Sequence, residues 1–166
     1  MAYKISSPSI VPQAIADTST TQMVPLGTIV RAVDPTYGEG EFIYLLGVTS
    51  TVVGSVVRYY ATTYQTTLIT ATAVQVAPVA VAMSANVGSQ YGWYQIEGLA
   101  VVKKTAVAVS PQVALYISGT AGRLKVIASA GLQIVGARSA NLASVTSTTS
   151  TVVVLINRPH CQSQIT

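Results

Sequence analysis

The sequence predicts an all-β protein, a jelly-roll-like sandwich or barrel preceded by an extended N-terminal arm, on three observations. β-Branched side chains, Val and Thr above all, run through the whole chain; they fit a pleated, half-buried strand and lose χ1 freedom in a helix. Short apolar runs recur at close spacing with Gly, Pro, Ser and Asn between them, which is the punctuation of an all-β fold. No stretch keeps the period of an amphipathic helix.

Residues 1–26 carry Pro8, Pro12 and Pro25 among Ser, Thr and isolated aliphatics, and Pro holds the backbone extended and resists helix. An arm is therefore expected. Ile5, Ile10, Val11 and Ile15 are spaced to drop into separate shallow pockets of a neighbouring subunit while the backbone pairs with an exposed strand edge. On this reading the arm crosses a neighbour instead of packing on its own barrel.

Residues 27–158 form a single β domain, opening with a hairpin: a strand over 28–33, a turn over Asp34–Gly40 and a strand over 41–46. Further strands are expected at 55–61, 79–85, 93–102, 112–118, 123–127, 133–138 and 151–156. Residues 159–166 are left as a C-terminal tail. A weak internal repeat crosses this domain. Ala82-Met83-Ser84-Ala85-Asn86 recurs as Ala137-Arg138-Ser139-Ala140-Asn141, and Gly54 to Tyr59 has a partner in Pro111 to Tyr116. Either two similar β units pack as opposed halves, or a chain rich in Ala, Val and Ser matches itself by chance.

A chain of 166 residues fits one domain that buries roughly 70% of the surface its unfolded form exposes. Charged residues make up 8% and hydrophobic residues 50%, with mean hydropathy +0.52, where about 25% charged is usual. Surface so poor in charge is readily buried against neighbours without stranding ions, so a homodimer or homotrimer is expected. The net charge of +4 is uneven, with Asp17, Asp34, Glu39 and Glu41 all before residue 42. Only Lys103 and Lys104 among the basic residues are adjacent, and no stacking motif accompanies them, so no nucleic-acid partner is expected. The most apolar stretch, Ala71 to Val87, is interrupted by Gln75 and Pro78 and is too short to span a bilayer, so no membrane partner is expected either. MAYKISSPSIVP lacks the charged and continuous apolar regions of a signal peptide, so export by that route is not expected and the protein is read as made in the cytoplasm.

No constellation for chemistry assembles from the residues, and the expectation is a non-enzymatic protein without cofactor or metal. Nucleophilic catalysis needs a base, and the one histidine, His160, is followed by the one cysteine, Cys161; neighbours in an extended chain point to opposite sides. The same pair falls short of a four-ligand zinc site. Asp34, Glu39 and Glu41 cluster in one turn without the spacing of a calcium loop. Tyr91, Trp93 and Tyr94 form the densest aromatic group, either a sugar platform or core.

Leu26-Gly27-Thr28-Ile29-Val30, Tyr37 to Leu45, Val81 to Asn86 and Gln90 to Gly98 together resemble the cement or decoration proteins of short-tailed bacteriophages. The likeness runs from about residue 20 to residue 140 and is strongest over Gly38 to Leu45 and Met83 to Gly98. It implies a β-barrel or jelly-roll body, symmetric oligomers, and attachment to the major capsid protein on the outside of the shell. The alternative class is a carbohydrate-binding or tail-fibre module, which requires the three aromatic rings to be exposed and coplanar. An enzyme would require His160 to sit in a cleft beside a carboxylate.

Overall fold

The structure, a computed structural model, describes residues 4–5, 12–71 and 76–162. Its elements among those residues are twelve strands and no helix. In order they are β1 (Lys4–Ile5), β2 (Thr18–Ser19), β3 (Ile29–Asp34), β4 (Gly38–Leu46), β5 (Val56–Tyr59) and β6 (Thr66–Leu68). Then come β7 (Val79–Ala82), β8 (Tyr91–Lys103), β9 (Ala114–Ile117), β10 (Leu124–Lys125), β11 (Gln133–Ser139) and β12 (Thr151–Cys161). The all-β class is the one the sequence predicts, and every expected strand is present. β1, β2 and β6, of two or three residues each, had not been expected.

β3 and β4 form the opening hairpin, with Ile29 opposite Ile43 and Asp34 opposite Gly38. The Asp34 carboxylate accepts the Thr36 and Tyr37 amides, and Gly38 takes the left-handed φ of +74° that reverses the chain. β4 then pairs with the first half of β8, where Ile96 is an extra residue between the pairs Phe42–Gln95 and Glu41–Glu97. This is a bulge, and it re-aims the strand. Next to it Gly98, at φ +99°, lets β4 approach so closely that an added Cβ would lie 2.5 Å from the Glu39 carbonyl. From Glu97 onward β8 pairs with β12, from Asn157 opposite Glu97 to Thr151 opposite Lys103.

The weak repeat is realised as topology. β5 pairs with β6 and β7, and β7 with β8; β9 pairs with β10 and β11, and β11 with β12. The two four-strand units share one plan and join through their last strands, with Leu99 opposite Leu155. Corresponding positions even pair alike: the Tyr59 amide donates to Pro78, and Tyr116 lies opposite Gln133. The units also meet at their other borders. Val56 donates to Gly122, Gly122 to Ile69 and Ala71 to Ser118, while Cys161 donates to Ala77.

Three apolar clusters follow from this plan. The largest lies between the two units and holds Val56, Val81, Val102, Leu115, Ile117, Ile134, Val154 and Ile156. A second, with Ile43, Leu45, Val57, Ala80, Tyr94 and Ile96, covers one face of the β4–β8 sheet with β5 and β7. The third covers the opposite face and is closed by the segment before β3: Ile15 packs with Val30, Phe42, Tyr44, Met83 and Trp93.

That third cluster corrects the expected arm. Ile15 is 2% exposed inside its own chain, β2 pairs with Gly92 and Tyr91 of β8, and β1 pairs with Val33 and Ala32 of β3. Ile5 thus sits in a strand of its own sheet, and Ile10 and Val11 lie outside the described residues. The physical reason is the aromatic face formed by Phe42, Tyr44 and Trp93, whose apolar area must be removed from water. Gln13 fastens the cover: its side chain donates to the Asp17 and Tyr91 carbonyls and accepts the Tyr44 hydroxyl at 2.6 Å, and its carbonyl accepts the Trp93 indole at 3.1 Å. The expected tail is shortened too, because Pro159, His160 and Cys161 belong to β12. Arg158, at φ +42°, and Gly136, at φ +80° across from it, form the bulge that carries β12 past the proline.

Candidate functional site

The residues that could do chemistry are engaged in structure or face apart. His160 is exposed and pairs with Val135, while Cys161 is buried beside Ile134, its thiol pushed up by burial. No third ligand joins them: among the described residues no group of three His, Cys, Asp or Glu could hold a metal. Asp34 is spent on its turn. Glu41, nearly buried, accepts Arg158 at 2.5 Å and Arg31 at 3.1 Å, and Arg31 also reaches Glu39 at 3.8 Å. The guanidinium-bearing side chains are 63% and 59% exposed, so the cluster is a clasp between β3, β4 and β12 with water on its outer side.

The aromatic group is not a platform. Trp93 and Tyr94 are fully buried on opposite faces of β8, which strand alternation demands once both faces are covered. Trp93 tilts against Tyr44 at 4.9 Å, and Tyr91 stacks on Tyr44 at 6.3 Å. Burial pushes the Tyr94 hydroxyl up to about 12, with Thr66 and Asn86 beside it opposing the shift.

Besides the acidic Asp34 and Glu41, one basic group lies inside. Lys104, at the end of β8, is 1% exposed, and its ammonium donates to three carbonyls: Thr105 at 3.3 Å, Val107 at 2.9 Å and Thr146 at 2.9 Å. Burial lowers its pKa, and the three acceptors favour the charged form in return. It holds the loop after β8 to the loop before β12.

Several large apolar side chains also stand on the surface. Leu142 is wholly exposed (101%), and Val76, Ile127, Val53, Tyr60, Ile29, Val33, Val52, Met23 and Val87 stand out as well. Leu142 and Val87 occupy the same place in the repeat, directly after Ser-Ala-Asn in the loop that leads to the last strand of each unit. Neither was singled out from the sequence, although the signal was present: the match of Asn86 with Asn141 extends one residue further into a pair of aliphatics. A shallow groove of about 530 Å³ runs between the covering segment and the loops at Val53 and Ser84, lined by Gln13, Asp17, Ser19 and Met23. No helix of the described residues is long and apolar enough to cross a membrane.

In comparisons with known proteins no family model matches this chain, and neither a curated protein nor a solved structure matches it.

Proposed function

We propose that the protein is a non-catalytic structural component of a bacteriophage particle that decorates the outer surface of the capsid and cements the DNA-filled head by binding the major capsid protein lattice. The observation that carries the reading is the set of large aliphatic side chains standing in solvent at loop tips, Leu142, Val76 and Ile127 foremost, on a chain with only 8% charged residues. Apolar side chains left in solvent on so uncharged a chain can be buried against a protein partner without stranding ions. The segments that resemble cement proteins support it further, since they include the covered β4–β8 core. The partners in this reading are the major capsid protein and further copies of the chain as a dimer or trimer, and the protein is made in the bacterial cytoplasm. The fully buried Trp93 and Tyr94 give the carbohydrate-binding alternative no surface at the place it required.

Mixing the purified protein with shells assembled from the phage's major capsid protein tests this. Added density on the outside of every shell, and shells that withstand more heat, are expected; shells that sediment and melt as before would overturn the proposal. Analytical ultracentrifugation should show a dimer or trimer, and a lone 17.2 kDa species at micromolar concentration would remove the oligomer from it.

A further inference from the structure

We infer that the seam between the end of β8 and β10 is a docking surface for a protein partner that presents a cluster of carboxylates; the inference stands apart from the capsid reading. Charge is divided between the two four-strand units. Residues 98–166 hold six basic residues and no acidic one, while every aspartate and glutamate lies between Asp17 and Glu97. Four of those six cations, Lys103, Lys104, Arg123 and Lys125, meet at this one seam. The chain past β8 runs parallel to β10 there, with Lys104 bridged to Leu124 and the Thr105 amide donating to the Leu124 carbonyl at 2.9 Å. Lys104 and Leu124 are 1% and 3% exposed, so both point inward. Strand alternation turns their neighbours outward, and the parallel register sets Lys103 beside Arg123, and Thr105 beside Lys125, on strands about 4.8 Å apart. The three outer cations thus share one face.

Two of the three are already fixed in place. The Arg123 guanidinium donates to the Lys104 carbonyl at 2.9 Å and the Lys125 ammonium to the Ser129 hydroxyl at 2.8 Å, so little side-chain entropy is lost when an anion arrives. Beneath them the Lys104 ammonium meets carbonyl oxygens, and the loops it joins, 105–113 and 140–150, contain no acid. A cation buried among like charges is costly, and carboxylates brought to the seam offset that cost. The chain's own acids do not supply them: Asp34 holds its turn, Glu41 is shared by Arg31 and Arg158, and Glu39 lies 3.8 Å from Arg31. With three of the five acids engaged, a second copy does not offer the cluster. A DNA duplex binds tightly through roughly 6–10 phosphate contacts spread along its length, whereas three outward cations on one short seam suit a compact carboxylate group.

The test titrates the full chain with a hexaglutamate peptide and follows backbone amides and lysine ammonium groups by NMR. Shifts should centre on Lys103–Thr105 and Arg123–Lys125, and binding should weaken at least tenfold between low and physiological salt. Lys103→Gln with Lys125→Gln should weaken it at least tenfold at low salt, whereas Lys4→Gln with Arg138→Gln, which removes as much charge elsewhere, should stay within about twofold. Arg123→Lys keeps the charge without the bond to the Lys104 carbonyl and should bind within about threefold of the parent. The Lys104 ammonium should lose its proton at higher pH with the peptide bound than without it, because a nearby anion favours the charged form. Equal losses in the two double variants, or no shift at the seam, would overturn the proposal. Tighter binding of a DNA duplex than of hexaglutamate at the same salt would make the seam a nucleic-acid surface instead. Salt-sensitive self-association that the Lys103→Gln, Lys125→Gln pair abolishes would put a second copy of the chain there, and overturn it too. No capsid protein enters the experiment, so its failure leaves the capsid reading to the shell-binding test.

Discussion

From Gly92 to Ile96 every residue of β8 is buried, whereas from Leu99 to Lys103 half-buried and buried residues alternate. One strand thus shows both signatures of a sheet: the first half is covered on both faces, by the segment 12–26 and by β5 and β7, and the second half faces the inter-unit core on one side only. β12 repeats the second pattern from Thr151 to Ile156. The difference teaches where large side chains go. Trp93, Tyr94, Phe42 and Tyr44 all lie in the doubly covered half, while the singly covered half is built from Val, Leu, Ile and Ala.

The largest effect should come from emptying the doubly covered half. Trp93→Ala removes the biggest buried side chain, leaves a cavity beside Tyr44 and Ile15, and strands the Gln13 carbonyl. A loss of about 3–5 kcal/mol is expected from urea unfolding. A loss under about 1 kcal/mol would mean that the segment 12–26 is not a fixed cover and that the comparison fails at its first term.

Much of this architecture was legible in the sequence, and what was not has local causes. Strands such as Gln133–Ser139 and Thr151–Ile156 carry their own alternation and β-branched content, and they fall where expected. Lys4–Ile5, Thr18–Ser19 and Thr66–Leu68 are too short to carry a period. Ile15, between Ala14 and Ala16, reads the same whether it docks on a neighbour or on its own chain; only the distant Phe42 and Trp93 decide. Tyr91, Trp93 and Tyr94 show a strand but not that both of its faces are covered. The clasp was half visible, since Glu41 was noticed among the acids while its partner Arg158 is 117 residues away.

Alkali should separate the two halves by pH. The Tyr94 hydroxyl, in the doubly covered half, has its folded pKa raised from 10.0 to about 12, so its stabilisation is full below pH 10 and is lost as pH rises through 12. The full effect is about 3 kcal/mol, at 1.36 kcal/mol per unit. Cys161, in the singly covered half, is also raised, from 9.0, so its contribution begins to fall near pH 9. Lys104, lowered from 10.5, works with the opposite sign. Stability measured between pH 8 and 12 should decline, Tyr94→Phe should flatten the upper part and Cys161→Ala the onset. A Tyr94→Phe profile that overlays the parent would show that this ring is wet.

Glu41 joins the halves, holding Arg31 of β3 and Arg158 of β12. Glu41→Gln should cost about 1–2 kcal/mol, toward the low end of the roughly 1.5–3 kcal/mol of charged hydrogen bonds, because both arginines can turn to water. Fluorescence of Trp93, in the first half, and strand signal from the whole chain should still report one transition. Two separated transitions would show that the clasp, and not the shared strand β8, couples the regions.

The smallest expected effect tests the alternation itself, on two neighbouring residues of β12. Val153 and Val154 differ in nothing the sequence displays, yet Val153 lies on the half-exposed face opposite Val101, and Val154 is fully buried opposite Ala100. Threonine has nearly the shape of valine with a hydroxyl in place of a methyl, so the substitution reads solvation and little else. At Val154 the hydroxyl would enter the inter-unit core, beside Val102, Val152 and Ile156, and the orphaned group should cost about 1–3 kcal/mol. At Val153 water satisfies the hydroxyl and threonine keeps the β-branch that suits a strand, so the change should stay within about 0.5 kcal/mol. Equal losses at both positions would mean that the outer face of β8 and β12 is buried in solution, and the sheet drawn here as singly covered would have a partner on its second face.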